Sequence, residues 1–241
     1  MLSESINYKN FRIMFEKTGT AKYISHLDVS RLFARAAVRA GIKVAHSEGF
    51  NPHPKIVFAL GLSLGIESFC ELVDIRVIVG ADSVSALTMA KIDFTPNTEP
   101  EILNKLKSVF PPGINIKEVY TSESKFKDID KTRFHVFVKP NGFGATELEK
   151  LFGGDVFVEK KPGININLKD YICNINISNI SNISEEFEES GYIKIDAVVK
   201  TNQEMFLNPD NIIKGINIKY EIVDYFVQKI EMYDKNFNVF R

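Results

Sequence analysis

The chain has 241 residues, of which 44% are hydrophobic and 25% charged, and its formal net charge is −1 at pH 7. This composition predicts a folded protein of one or two domains with a sizeable core, and it excludes a strongly basic domain. The longest apolar runs are far shorter than the roughly 20 residues of a membrane-spanning helix, and residues 1–10 lack a secretory signal, so we expect a cytoplasmic protein without membrane association.

The first half of the chain shows strand and helix patterns in alternation. Alternating apolar residues over 11–17 predict a strand, and Ser25 precedes a predicted helix from about His26 to Ala40 that ends at Gly41. Further strands are predicted at 42–47, 55–62, 70–80 and 115–123, and further helices at 83–90 and 100–109. This order predicts an α+β fold, most simply a ferredoxin-like antiparallel sheet with helices on one face.

A polar stretch divides the chain. We predict a linker at 122–131 between a first domain, 1–121, and a second α+β domain, 132–241. The second domain is predicted to have strands at 133–139, 155–160, 166–177, 191–200 and 220–233, with helices at 145–152 and after Asn208. A triple Asn-Ile-Ser run from Asn176 is interpreted as the end of a strand that passes into a polar loop. The similar order of elements suggests two ferredoxin-like halves, although no sequence repeat supports this.

Positive charge is concentrated near the start of the chain. Residues 1–60 contain nine Lys and Arg against four Asp and Glu, whereas residues 61–241 contain 21 against 27. Arg31, Arg35 and Arg39 recur every four residues and therefore share one face of the predicted helix, while Leu27 and Val38 are among the residues expected to cover the core. Such a row suits phosphate contacts, and the alternative is a solvated face neutralised by Asp28.

The loop SEGFNPHPK, residues 47–55, combines glycine, proline and aromatic residues. Its two Asn-Pro and His-Pro steps favour extended or turn conformations around His53. Gly49 permits close backbone approach and Phe50 offers a stacking surface for a base, while His53 and Lys55 could face a ligand. The alternative is a stiff connection in which Phe50 plugs the core.

Metal binding and catalysis have weaker support. Cys70 and Cys173 are far apart in sequence and are expected to be two buried thiols, not a disulfide. Residues that could supply metal ligands match no zinc spacing, and we predict no metal. These residues are His46, Glu48, His53, Glu67, Cys70 and Glu71. Ser25 is better explained as a helix cap than as a nucleophile beside His26. General acid-base chemistry by His26, His46 or His53 stays open.

Residues 24–68 resemble the radical SAM-linked protein family, a bacterial family of uncharacterised function. The matching pieces are SHLD at 25–28, the arginine-rich helix, GFNPHPK at 49–55, FAL at 58–60 and LGIES at 64–68. The resemblance implies an accessory to a radical SAM enzyme, plausibly one that acts on RNA. A radical SAM cluster needs three closely spaced cysteines and this chain has two, so the radical chemistry belongs to the partner and no cofactor is expected in this chain. The second half lacks the arginine that the family pattern leads us to expect after KKPGININLKD, so no ligand contact is carried over there.

Three hypotheses follow. The first is a non-catalytic protein that recognises the substrate of a radical SAM enzyme, with tRNA or rRNA expected and DNA not expected, or that docks to the enzyme. The second is an RNA-processing enzyme that uses the histidines, and the third is a pure protein-interaction module. The predicted binding residues are Arg31, Arg35, Arg39, Gly49, Phe50, Asn51, His53, Lys55 and Glu67.

Overall fold

The computed structural model describes residues 7–79, 98–180 and 191–241. The chain divides into two compact units, one formed by Met1–Leu64, Ser68–Ser124 and Arg241, and the other by Gly65–Glu67 and Lys125–Phe240. None of the helices in the described part is long and apolar enough to cross a membrane. The helix predicted at 83–90 lies outside the described residues.

The first unit is a mixed α/β structure built on an antiparallel sheet. Its elements are β1 (Asn7–Lys17), α1 (His26–Arg39), β2 (Ile56–Phe58), β3 (Glu67–Val79), α2 (Glu99–Lys107) and β4 (Ile114–Tyr120), with a 3-10 turn at Gly19–Tyr23. The strand order is β4-β1-β3, and β2 pairs with β3. All three pairings are antiparallel.

Both helices of this unit pack against the same side of the sheet. Every second residue of β1 and β3 is apolar on that side, and these residues form one core cluster with α1 and α2. The shared cluster includes Phe11, Ile13, Phe15, Val73, Ile75 and Val77 from the strands, Val29, Phe33 and Ala37 from α1, and Ile102 and Leu106 from α2. Period-two patterning in the strands thus determines which face the helices cover.

Helix α1 begins and ends as its sequence indicates. The Ser25 side chain accepts a hydrogen bond from the Asp28 amide at 3.2 Å, and Gly41 adopts a φ of 69° just beyond the last turn. The predicted core face is wrong at two positions, because Leu27 and Val38 are exposed. The buried stripe instead runs through Val29, Phe33, Ala36 and Ala37. Leu27 precedes Val29 by two residues, about 200° around the helix, and therefore points away from the core.

The strands predicted at 42–47 and 55–62 are mostly irregular. The first makes only isolated bridges, Val44 with Val77 and His46 with Pro54. The second is regular only over the three residues of β2. Both segments hydrogen-bond to Arg76, since Ala45 N donates to its carbonyl at 2.7 Å and Arg76 N donates to Lys55 O at 3.1 Å. Because the two segments share one stretch of β3, neither of them forms a full ladder of backbone hydrogen bonds with it.

The second unit is also mixed α/β. Its elements are β5 (Lys131–Pro140), α3 (Ala145–Gly153), β6 (Phe157–Lys161), β7 (Ile164–Asn167), β8 (Ile172–Asn179), β9 (Ile193–Lys200), α4 (Asp210–Asn217) and β10 (Ile222–Tyr233). The strand order is β10-β5-β9-β8, all antiparallel, and β6 and β7 form a separate hairpin.

The strand predicted over 166–177 is broken by a 3-10 turn at Leu168–Asp170. The break centres on Asn167, whose side-chain oxygen accepts hydrogen bonds from Val156 N and Lys169 N, both at 3.2 Å. Its amide nitrogen donates to Asp155 at 2.9 Å. An asparagine side chain that hydrogen-bonds to the backbone in this way replaces backbone hydrogen bonds that a continuous strand would make.

Candidate functional site

A groove of about 830 Å³ lies in the first unit beside the C-terminal end of α1. We call it the α1 groove. It is lined by Ala34, Ala37, Val38, Arg39, Ala40, Gly41, Ile42, Lys43, Val44, His46, Pro54, Ile78 and Lys105. Its volume lies within the range of small-molecule and cofactor sites.

The polar side chains of the α1 groove are all basic or histidine. They are Arg39 from α1, Lys43 and His46 from the following segment, and Lys105 from α2. Among the described residues that line the groove there is no carboxylate. The remaining lining is almost entirely apolar. The arrangement therefore suits a ligand that carries negative charge at its edge and an apolar or flat surface toward the floor.

Two of these side chains are held by backbone carbonyls. Arg39 Nη2 donates to Val109 O at 3.0 Å, beyond the end of α2. The His46 Nδ1 atom lies 3.1 Å from Val44 O. Because a carbonyl can only accept, Nδ1 is the donor in this contact. Arg39 and His46 are thus oriented before any ligand arrives.

The three arginines of the predicted row differ in their surroundings. Arg31 pairs with Asp28 at 3.0 Å, and the pKa of Asp28 is lowered by its hydrogen bonds from Ser25 and Arg31. Arg35 is exposed and has no hydrogen-bond partner among the described residues, while Arg39 belongs to the α1 groove. The three residues share a helical face, but only Arg39 lines the cavity.

The loop of residues 47–53 is closed at its base and projects at its tip. Ser47 N donates to His53 O at 2.8 Å, and His53 N donates to Ser47 Oγ at 3.0 Å. The Phe50 side chain is fully exposed, so the hypothesis that it plugs the core is wrong. Gly49 supplies a φ of 120° beside it, a conformation that favours glycine. Asn51 and His53 are exposed as well.

Three further predicted residues are not among those that line the α1 groove: Lys55 and Glu67, predicted to bind, and His26, an alternative catalytic residue. Lys55 is half-buried and its amide donates to Ala45 O at 2.7 Å. Glu67 accepts a hydrogen bond from Gln228 at 3.2 Å and clusters with the second unit. The His26 ring packs edge-on against Phe58, with the ring centroids 5.2 Å apart.

The cysteines are both free, and the expectation that both are buried is wrong, since Cys70 is buried and Cys173 exposed. Within the described ranges, no group of three or more His, Cys, Asp or Glu side chains is placed to hold a metal ion.

Comparison with protein families supplies the assignment. Residues 10–209 match the model of DUF2344, described as an uncharacterized protein conserved in bacteria. The chain belongs to this family. No curated protein matches the chain.

Sequence reasoning missed a buried polar cluster within the part that matches DUF2344. Lys17 donates to Ile24 O at 2.7 Å and Lys22 O at 3.3 Å, while Ser68 donates to Glu71 at 2.6 Å. Burial lowers the pKa of Lys17, and the charge of Glu71 acts in the opposite direction. Lys17 therefore fixes the chain just before the Ser25 cap. Lys17 occupies a position of β1 where the period-two pattern otherwise places apolar residues, and only this feature of the sequence could have indicated its buried role.

A second missed cluster lies on the sheet of the second unit. Arg133 grips Asp196 through two hydrogen bonds of 2.8 and 2.5 Å, and His135 Nε2 lies 3.6 Å from the same carboxylate. Burial lowers the pKa of His135, and the positive charges of Lys194 and Arg133 lower it further, against the charge of Asp196. Arg133 lowers the pKa of Asp196 in turn.

The lowered pKa of His135 predicts a pH-dependent stability. In the unfolded chain His135 binds a proton near pH 6.5, whereas in the folded chain it binds one only at lower pH. The unfolded state therefore gains protons first as the pH falls, and the free energy of unfolding decreases through and below pH 6.5. We expect the free energy of unfolding to decrease between pH 7.5 and pH 5, and to decrease less in His135→Gln. Urea unfolding across this range measures it, with His53→Gln as the control for an exposed histidine. Equal pH dependence in His135→Gln and wild type would contradict the prediction.

Proposed function

We propose that this chain is a non-catalytic recognition protein that binds RNA for a radical SAM enzyme. The observation that carries the proposal is the α1 groove, with its basic side chains and apolar floor. We infer that each unit is ferredoxin-like. The first unit follows a strand, helix, strand, strand, helix, strand order with β4 beside β1 and β1 beside β3. The second unit follows the same order as β5, α3, β8, β9, α4 and β10, with the β6–β7 hairpin inserted after α3, and its strands are arranged β10-β5-β9-β8.

The charge distribution in the groove favours an anionic chain. Arg39 lies on α1, Lys105 on α2 and Lys43 in the segment after α1, so the positive charges of the groove come from three parts of the first unit instead of one helix. Phosphate groups are the anions that such lysines and arginines bind most readily in nucleic acids. The apolar floor gives a sugar or base a surface to contact.

The exposed loop supports RNA over other anionic polymers. Phe50 has no protein cover, and an exposed aromatic ring stacks on unpaired bases, which RNA presents in loops and single strands. Asn51 beside it offers an amide donor and acceptor. In this proposal the α1 groove takes phosphates, and the loop takes a base.

The radical SAM connection rests on the resemblance of residues 24–68. Two free cysteines in different environments do not make the three-thiolate site of a radical SAM cluster, so in this proposal residues 1–241 do not carry the radical chemistry. In this proposal the chain presents the RNA, and the partner performs the chemistry.

RNA binding over a salt series tests the proposal. We expect wild type to bind a labelled single-stranded RNA with an affinity that falls as salt rises. Lys43→Ala/Lys105→Ala should bind more weakly and reduce the slope of log K against log salt by about 1.4, since each phosphate contact contributes about 0.7 on single strands. Arg39 is left unchanged because it also bonds to Val109 O.

The matched control is Lys127→Ala/Lys161→Ala, which removes the same charge from two exposed positions outside the groove. It should keep the wild-type slope. Absence of wild-type binding at low salt would reject the proposal and favour protein docking. RNA cleavage that His46→Ala abolishes would favour the RNA-processing enzyme.

A further inference from the structure

Strand β8 lies at the edge of the sheet of the second unit, as far as its described strands show. Among the described strands, only β9 pairs with it, and β8 ends the strand order. Its eight residues, Ile172–Asn179, include no charged residue and no proline, although a quarter of the whole chain is charged, and the one irregularity in its pairing with β9 lies at its start, between Ile172 and Asn174. Edge strands of natural proteins are usually blocked by charges, prolines or bulges, because their free backbone groups can pair with another strand.

The side chains of β8 alternate in a way that suits a second strand. Asn174, Asn176 and Ser178 are exposed on one face. Ile175 and Ile177 are half-buried and buried on the other face. An added strand with the same alternation would continue both faces without placing apolar groups in water.

A small cavity beside the strand offers a place for an added side chain. It has a volume of about 280 Å³ and lies between the end of α3 and β8, with Phe152, Val156, Leu168 and Ile175 among its lining residues. Added strands commonly gain affinity from backbone hydrogen bonds and specificity from such side-chain pockets.

We propose that β8 pairs with β8 of a second copy of this chain, antiparallel across a two-fold axis at Asn176. The absence of charge favours this occupant, because a charged strand would meet its own like charges on self-pairing. In this register Ile175 lies opposite Ile177 of the copy, and Asn174 lies opposite Ser178. Ile177 of the copy then covers the cavity beside Ile175.

The oligomeric state in solution tests this inference. By sedimentation velocity over a concentration series, the mass of wild type should rise from 27.3 kDa toward twice that value. Asn176→Lys and Asn176→Glu each place like charges opposite each other at the axis, so each should weaken self-association about fivefold or more. A mixture of the two variants should associate again, because opposite charges then face each other.

Asn165→Lys is the matched control, since it adds the same charge at an exposed position on β7. It should associate as wild type does. A monomer at every concentration would overturn the inference, and so would Asn176→Lys that dimerises as wild type does. A mixture that stays monomeric would overturn the register. None of these outcomes depends on RNA, so they test this inference independently of the proposed function.

Discussion

Arg12→Met should lower the free energy of unfolding by about 3 kcal/mol, the lower end of the range measured when one partner of a buried ion pair is removed, because Arg12 is buried while the Asp74 side chain is 35% exposed. Arg12 is only 2% exposed although it lies in the middle of β1. Its guanidinium grips both oxygens of Asp74, at 2.7 and 2.9 Å, and also donates to the hydroxyls of Ser122 and Ser124 at 3.0 and 2.6 Å. Methionine fills similar space but leaves the Asp74 carboxylate without its guanidinium donor, whereas the two serine hydroxyls keep their hydrogen bond to each other at 2.8 Å.

The matched control for Arg12→Met is Lys9→Met on the same strand. Lys9 pairs with Glu99 at 3.3 Å, and both side chains are more than a third exposed. Solvent weakens such a pair, so we expect a loss of no more than about 1 kcal/mol. Urea unfolding of both variants makes the comparison. If Arg12→Met cost no more than Lys9→Met, the buried network would contribute little to stability.

Asp74→Leu completes a double-mutant cycle with Arg12→Met. Removing both charges leaves neither one unpaired, so the double variant should be less destabilised than the sum of the two single variants. Strict additivity would mean that the two side chains do not depend on each other.

Gly113→Ala is expected to have an effect of similar size, a loss of about 2 to 5 kcal/mol. Gly113 has a φ of 88°, where an L-residue costs about 1 to 2 kcal/mol. A Cβ added there would also lie 2.7 Å from Thr18 O and 2.8 Å from Ala21 Cβ. Thr18 O belongs to the backbone and cannot rotate away, so we expect overpacking to add about 1 to 3 kcal/mol to the backbone cost.

The control for Gly113→Ala is Gly19→Ala. Gly19 also has a positive φ, 58°, but an added Cβ meets no atom within 4 Å. It should therefore show the backbone cost alone, about 1 to 2 kcal/mol. Thermal and urea unfolding separate the two contributions. Equal losses in the two variants would show that the contact with Thr18 relaxes freely.

Much of the local structure could be predicted from the sequence. Ser25 and Gly41 marked the two ends of α1 correctly, and strand alternation located β1, β3, β5 and β9. These features depend on residues within one or two turns of each other, so the information is local. The strands at 42–47 and 55–62 were overestimated, because their pairing depends on a shared stretch of β3 that is distant in sequence.

The candidate site could be predicted only in part. Arg39 and His46 were candidates from the start, and both line the α1 groove. Lys105 follows Arg39 by 66 positions, and no sequence pattern connected it with α1. The exposure of Phe50 was equally undetermined, because an aromatic residue in a loop can cover a core or project from it.

By itself, the sequence determined the two ends of α1 and the period-two strands, since both follow from the conformational preferences of neighbouring residues. Only the tertiary structure decided which charges became buried and which cations gathered. Arg12 and Lys17 occur at positions where a charge is usually exposed, and they are buried because Asp74 and the carbonyls of Lys22 and Ile24 provide partners. The free energy of a charged side chain depends on solvent and on partners brought together by folding, and neither is encoded in its immediate neighbours.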